Sequence, residues 1–230
     1  MFDTWAYTVG LFDHPVNEYK SIVATRVVHD YYDADPKRGF YGGGGIDSRF
    51  DLMPIGFALA GLPPDTPQWG RGYKKALGEC FTHSSGLPAH CSCLPVYTNR
   101  VDLDPEVKDA WGLPAMRVTF DCHPDDVKTM EFMRDRMLEI TAAAGARKKW
   151  ALPIGEVLPS RHLMGTCRMG NDPRKSVVNV DNRSHDVANL FLVDGSSLVT
   201  SARQQPTATI QALAYRAAEK MTTLARSGGI

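Results

Sequence analysis

Residues 189–226 read "NLFLVDGSSLVTSARQQPTATIQALAYRAAEKMTTLAR", and this stretch decides which fold to expect. Its opening, Asn189 to Gly195, is apolar on both faces as far as Val193, which suits a strand covered on both sides, as in a parallel sheet. Its second half carries Ile210, Leu213, Ala214, Ala217, Met221 and Leu224 at helical spacing, behind a proline, Pro206, at the expected first helical position. Strand, loop and helix in that order let the helix start emerge from "SARQQPT". A helix N-terminus offers N–H groups without intrahelical partners and a partial positive charge. The local plan is therefore that of an anion or cofactor site.

Working outward, "VVNV" (Val177 to Val180) is a second strand-like run. Upstream, "HPDDVKTMEFMRDRMLEITAAAGA" predicts a helix. Pro124 suits its first turn, Asp125 and Asp126 sit at the positive end of its dipole, and Gly145 closes it. Val127, Met130, Met133 or Arg134, Met137, Ile140 and Ala144 form its expected core stripe, with the methionines as packing residues rather than ligands. "AMRVTFDC" sets Met116, Val118, Phe120 and Cys122 against Arg117, Thr119 and Asp121. That alternation predicts a half-buried strand of an antiparallel sheet. "SIVATRVVH" (Ser21 to His29) is β-branched and reads as a strand. Otherwise the first ninety residues read as irregular, with "YGGGG" (Tyr41 to Gly45) and "GLPPDTP" (Gly61 to Pro67) as loops.

Composition narrows the function classes. The 230 residues suffice for a real core. A formal net charge of zero gives no pull toward nucleic acid or an anionic membrane surface. No run approaches the ~20 apolar residues of a membrane helix, and the first fifteen residues lack the features of a secretory leader. Five cysteines at low density do not read as a disulfide scaffold. The expectation is a soluble, cytoplasmic protein without a membrane segment.

"RHLMGTCRMG", Arg161 to Gly170, supplies the chemistry: a histidine four residues ahead of a glycine-flanked turn. From His162 to Met221 the chain resembles the C-terminal signature of the glucose–methanol–choline (GMC) flavoprotein oxidoreductases. "H…GTCRMG", "NLFLVDGS" and "TSARQQPTATIQALAYRAA" carry the likeness in their order. "LPVYTNRVDLDPEVKDAWGLPAMRVTFD" is also similar to the branch with gluconate, sorbitol and fructose dehydrogenase flavoprotein subunits.

This resemblance implies an α+β (mixed α/β) fold. Residues 1–160 would form an antiparallel-sheet substrate-binding domain. Residues 161–230 would carry the catalytic turn plus the strand and helix that complete a Rossmann-like FAD domain. His162 matches the family's base, which takes the proton of a substrate hydroxyl while hydride passes to flavin. An imidazole, with a general pKa near ~6.5, suits that task. Gln205 falls where the family usually has Asn or His. Its amide can orient a substrate oxygen, one methylene further out than asparagine, but cannot replace a histidine base; Gln204 is the alternative occupant of that space. Asp194, Gly195, Pro206 and Thr207 match flavin contacts, where a helix start would steady developing negative charge. Cys167, Arg168 and Met169 read as turn and packing residues.

The implied cofactor is FAD, and the implied substrate an alcohol, polyol or sugar oxidised at CH–OH, with an acceptor other than oxygen. Cys80, His83, His90, Cys91 and Cys93 lack metal-site spacing, so no metal is expected. The nucleotide-binding Gly-x-Gly-x-x-Gly turn is not found, since Ile46 and Asp47 follow the four glycines. An N-terminal FAD-binding half or partner chain is therefore expected, and weak FAD binding by this chain alone. The alternative reading is a non-catalytic GMC-like fragment serving as a binding or interaction module.

Overall fold

The computed structural model of the chain describes residues 1, 4–21, 26–49, 51–154, 162–201 and 203–229. The chain packs as two compact units. One comprises Thr4–Ser92 and Pro124–Val157, the other Met1–Asp3, Cys93–His123 and Leu158–Ile230. The expected boundary at 160/161 falls among residues 155–161, outside the described residues.

The first unit is built on a five-stranded sheet. Strands β1 (Thr4–Leu11), β2 (Val27–Val28), β3 (Gly44–Asp47) and β4 (Ser84–Cys91) join β7 (Lys148–Ala151), named after the β5 and β6 described below. The order is β2-β3-β4-β1-β7, with every neighbour antiparallel. Period-two geometry sends Trp5, Tyr7, Val9 and Leu11 to one face of β1, and Thr4, Ala6, Thr8 and Gly10 to the other. The bulky face builds a core in which Tyr7, Val9, Leu11 and Trp150 meet Phe57 and Cys80. Phe57 follows the short α1 (Pro54–Gly56) in a π-helical turn, and Cys80 lies on α2 (Gly70–Phe81).

The small face admits α3 (Pro124–Ala143) at close range: a β-carbon on Gly10 would lie 2.5 Å from Thr141 Cγ2. Gly145 turns the helix end with a φ of 87°. The expected helix is present, but its buried stripe is Asp126, Thr129, Met130, Met133, Met137 and Thr141. Small strand residues accept the threonines and rotate the helix. Val127 and Ile140 are left only partly covered, and Ala144 lies exposed just past the helix end.

Several expectations need correction. The first ninety residues are not irregular; they hold four of the five strands, and Gly44 and Gly45 belong to β3. Of "SIVATRVVH", only Val27 and Val28 form strand, and residues 22–25 lie outside the described residues.

In the second unit, β5 (Arg100–Lys108) and β6 (Pro114–Thr119) form a two-stranded antiparallel hairpin. The alternation in "AMRVTFDC" pairs as expected, yet Met116 is 71% exposed rather than half-buried. The runs 177–180 and 189–195 make only the single bridges Met169–Val178, Val178–Ser184 and Arg183–Phe191. A strand needs a paired neighbour, and among the described residues none runs beside them; Leu190 and Val193 are exposed. The final helix α4 (Thr207–Arg226) starts one residue after Pro206, which precedes it as the cap. Among the described residues no helix is long and apolar enough to cross a membrane.

Candidate active site

The site lies within the second unit, where two loops run side by side ahead of α4. The loop that begins at His162 is held along the turn 194–198 by three backbone hydrogen bonds. Gly165 N donates to Gly195 O at 3.2 Å, Cys167 N to Ser196 O at 2.9 Å, and Met169 N to Ser197 O at 2.9 Å. The alternate donor spacing makes a short ladder, which fixes the height of one loop against the other.

His162 takes a left-handed backbone conformation, φ 59°, uncommon outside glycine. The residue is half-buried. The strained residue sits between residue 161, outside the described set, and Leu163–Met164; Met164 is buried and exchanges two backbone hydrogen bonds with Met1. Strain of this kind concentrates at functional positions.

Gly195 is the meeting point. A β-carbon there would stand 2.7 Å from Leu163 O, 3.2 Å from Ile210 Cδ1 and 3.6 Å from Met164 Cγ. Any larger residue would push the histidine loop away from the first turn of α4. Asp194 accepts the Ser196 amide at 2.8 Å and so caps its own turn. Hydrogen bonding from Ser196, whose amide reaches Oδ1 at 2.8 Å, holds the Asp194 carboxyl below the usual carboxylate range. Its charge belongs to the turn first.

Pro206 is buried, while Gln205 and Thr207 are exposed. Pro206 O accepts from Ile210 N at 3.0 Å, the first bond of the helix. The amides of Thr207, Ala208 and Thr209 precede that bond and lie at the positive end of the dipole. Three residues ahead of Thr207, Gln204 Nε2 is buried and finds no partner among the described residues. The alternative glutamine thus has a sheltered amide, and Gln205 an exposed one.

Two residues escaped sequence reasoning. Asn182, 2% exposed and at φ 62°, donates from Nδ2 to Leu192 O (2.7 Å) and Ser197 Oγ (2.9 Å). It ties both ends of the Asp194 turn; the signal was an asparagine in "VDNRSH", a turn composition. His185 Nε2 lies 3.0 Å from Ser176 Oγ and 3.1 Å from Gly170 O, pinning the end of the histidine loop. Cys167 and Met169 act through their backbone amides, while the Arg168 side chain braces the loop, Nε donating to Lys175 O at 2.7 Å. Of the cysteine and histidine group upstream, His90 and Cys91 point to opposite faces of β4, and Cys80 faces the core. Among the described residues no three His, Cys, Asp or Glu side chains gather as a metal site.

The GMC oxidoreductase family model matches residues 95–214. A 2-methyl-1,2-propanediol dehydrogenase of Mycolicibacterium austroafricanum is 39% identical over 191 residues, 83% of this chain and 35% of that protein. The gluconate 2-dehydrogenase flavoprotein of Pantoea cypripedii is 32% identical over 200 residues, 83% of this chain and 32% of its own length. The chain thus spans about a third of the curated relatives it matches. Among solved structures, pyridoxine 4-oxidase from Mesorbium loti superimposes with a TM-score of 0.55 at 15% identity, covering 96% of this chain and 43% of that one. That likeness is one of fold.

Proposed function

The chain belongs to the GMC oxidoreductase family, and on that premise we propose that it carries the substrate-oxidising part of an FAD-dependent enzyme acting on the CH–OH group of an alcohol, polyol or sugar. The observation that carries this reading is the ladder that lays the His162 loop on the Asp194–Ser197 turn, with Gly195 closed against α4.

The residues present fit FAD. The buried Gln204 amide nitrogen has no partner among the described residues, three residues ahead of the first residue of α4. The crowding at Gly195 comes from Leu163, Met164 and Ile210 of this chain, so it fixes the histidine loop against the helix start. Asp194, Gly195, Pro206 and Thr207 would hold the cofactor. When bound, FAD supplies the hydride acceptor. His162 accepts the proton of the substrate hydroxyl, and its constrained backbone limits the directions its ring can take. Gln205, exposed, orients the substrate oxygen; Gln204 serves the helix start. The domain roles follow the same reading: substrate recognition by the sheet portion, cofactor and proton chemistry by residues 161–230. A partner supplying the nucleotide-binding half belongs to this proposal.

A second reading, a non-catalytic interaction module, draws on Gln205 standing where the family usually has Asn or His. One experiment separates the two. The chain is combined with the remaining part of the 2-methyl-1,2-propanediol dehydrogenase and with FAD, and flavin bleaching is followed anaerobically with a panel of diols, polyols and sugars. Bleaching by at least one substrate, slowed about 10²–10⁴-fold by His162→Ala with flavin retained, is the expected result. Bleaching that His162→Ala leaves unchanged removes the base assignment. No bleaching with flavin bound favours the interaction module.

A further inference from the structure

Within the first unit an open cleft of about 270 Å³ lies between the small-residue face of the sheet and the C-terminal end of α3. Val28, Ile46 and Leu87 form its sheet wall, and Ile140 and Ala144 its helix wall. Strand register places Val28, Ile46 and the β4 residue Ala89, two on from Leu87, on one face, so the wall is continuous. Ile140 and Ala144 are the apolar residues that helical periodicity assigns to the core. Here they border space instead. No residue assigned to the candidate active site lines the cleft.

Its polar residues are Arg26, Ser48, Ser85 and Thr141, of which Arg26 alone carries a charge. Arg26 and Ser48 stand together, joined by the bond from Ser48 N to Arg26 O at 3.0 Å. The Arg26 guanidinium makes no hydrogen bond or ion pair among the described residues, and no carboxylate lines the cleft. Thr141 Oγ1 already donates to Met137 O. An apolar slot bordered by the exposed Arg26 is complementary to a molecule with an alkyl body and an anionic head. At interior packing density the volume takes an alkyl chain of about eight carbons.

We propose that this cleft binds a medium-chain alkanoate, its chain between the sheet and α3 and its carboxylate on Arg26. Neither the oxidoreductase reading nor its residues are needed for this.

Isothermal titration of the 230-residue chain with octanoate tests it, with octan-1-ol as the uncharged comparison. Expected are saturable one-to-one binding of octanoate, about ten-fold weaker binding of octanol, and a similar loss for octanoate on Arg26→Gln. Ala144→Phe, at an exposed position beside the slot, should fill it and abolish binding while the thermal midpoint holds. Binding that is not saturable, or octanol binding as tightly as octanoate, overturns the proposal. So does octanoate binding that neither variant weakens. The octanoate–octanol comparison needs no variant, so a misfolded mutant does not protect the idea.

Discussion

Gly86 and Tyr7 compete for one point in space at the centre of the sheet. A β-carbon on Gly86 would collide with the Tyr7 hydroxyl and ring carbon, and would sit 3.0 Å from Arg49 O. Tyr7 cannot yield: it is 2% exposed, and its hydroxyl accepts Asp51 N at 3.2 Å. Burial pushes its phenol well above the ordinary value. Gly86→Ala should therefore cost about 1–3 kcal/mol of stability, read from the urea midpoint at constant m-value. Next to it, Glu18 Oε2 accepts Gly86 N at 2.9 Å. Burial raises the Glu18 carboxyl above its ordinary value, against hydrogen bonds from Gly86 and Ser85 that lower it, and Asp51 adds to the rise. A carboxyl whose folded pKa is raised binds its proton more tightly in the native state. Stability is then lost as pH climbs through the window that opens near 4.5, the unfolded value, and stays lost above it. Glu18→Gln keeps an acceptor for Gly86 and removes the charge. It should raise the thermal midpoint by about 1–3 °C at pH 7, a gain that closes toward pH 4. A midpoint lowered at pH 7 would show that the charged hydrogen bonds outweigh desolvation.

Hairpin β5–β6 shows how a sequence pattern can be right about pairing and wrong about burial. Val101 faces Val118 and Leu103 faces Met116, while Asp102 faces Arg117. Asp102 accepts two hydrogen bonds from Arg117, Nε at 2.8 Å and NH2 at 2.9 Å, and one from Arg100 Nε at 2.8 Å. Those guanidiniums, Arg117 first, hold the Asp102 carboxyl well below the carboxylate range. The pairing is thus present above about pH 4, the unfolded value, and fails only as acid reaches the depressed one. Asp102→Ala should speed amide exchange at residues 101–103 and 116–118 about two- to five-fold, with little change in β1 or β4. Equal exchange in both proteins would mean that backbone pairing alone holds the ribbon. Other elements were legible in different degrees. Helix α3 announced itself by Pro124, its acidic first turn and Gly145. Strand β1 did not, because it alternates bulky with small side chains (Tyr7 and Val9 against Ala6 and Thr8) rather than apolar with polar. Strand β4 carries Gly86 and Pro88 in a central position, where both argue against strand. At the site, sequence order located the His162 loop, the Asp194 turn and the α4 start. Gly195 as their contact point, and Asn182 as the tie, depend on side chains far apart in the chain.

At the scale of the whole molecule, the two units differ in how completely they bury themselves. The first has a core on each sheet face: Tyr7, Val9, Phe57 and Trp150 on one, Met130, Met133 and Met137 on the other. In the second, the twenty-residue helix α4 fully buries only Ala217, and Leu190, Val193 and Val199 stay exposed. Exposed apolar surface on this scale marks elements that gain their stability from added contacts. The first unit should therefore fold without the second, although residues 93–123 interrupt it in sequence. Geometry allows the excision. A β-carbon on Gly42 would touch Ser92 Oγ, at 2.8 Å, and the Thr129 side chain, so the end of the first segment lies beside the first turns of α3. A six-residue Gly/Ser linker reaches about 20 Å and can join Ser92 to Pro124. Residues 4–92 joined in this way to 124–154, with Trp5→Phe and Trp69→Phe so that Trp150 alone emits, should unfold in urea in one cooperative step, with an m-value of about 1–2 kcal/mol/M, followed by the fluorescence of Trp150, 6% exposed in the native chain. A broad transition without a baseline would mean that the sheet borrows its stability from the second unit. Residues 162–229 expressed alone should show no such cooperative step, because their loops are tied by backbone ladders and single side chains rather than by a closed core.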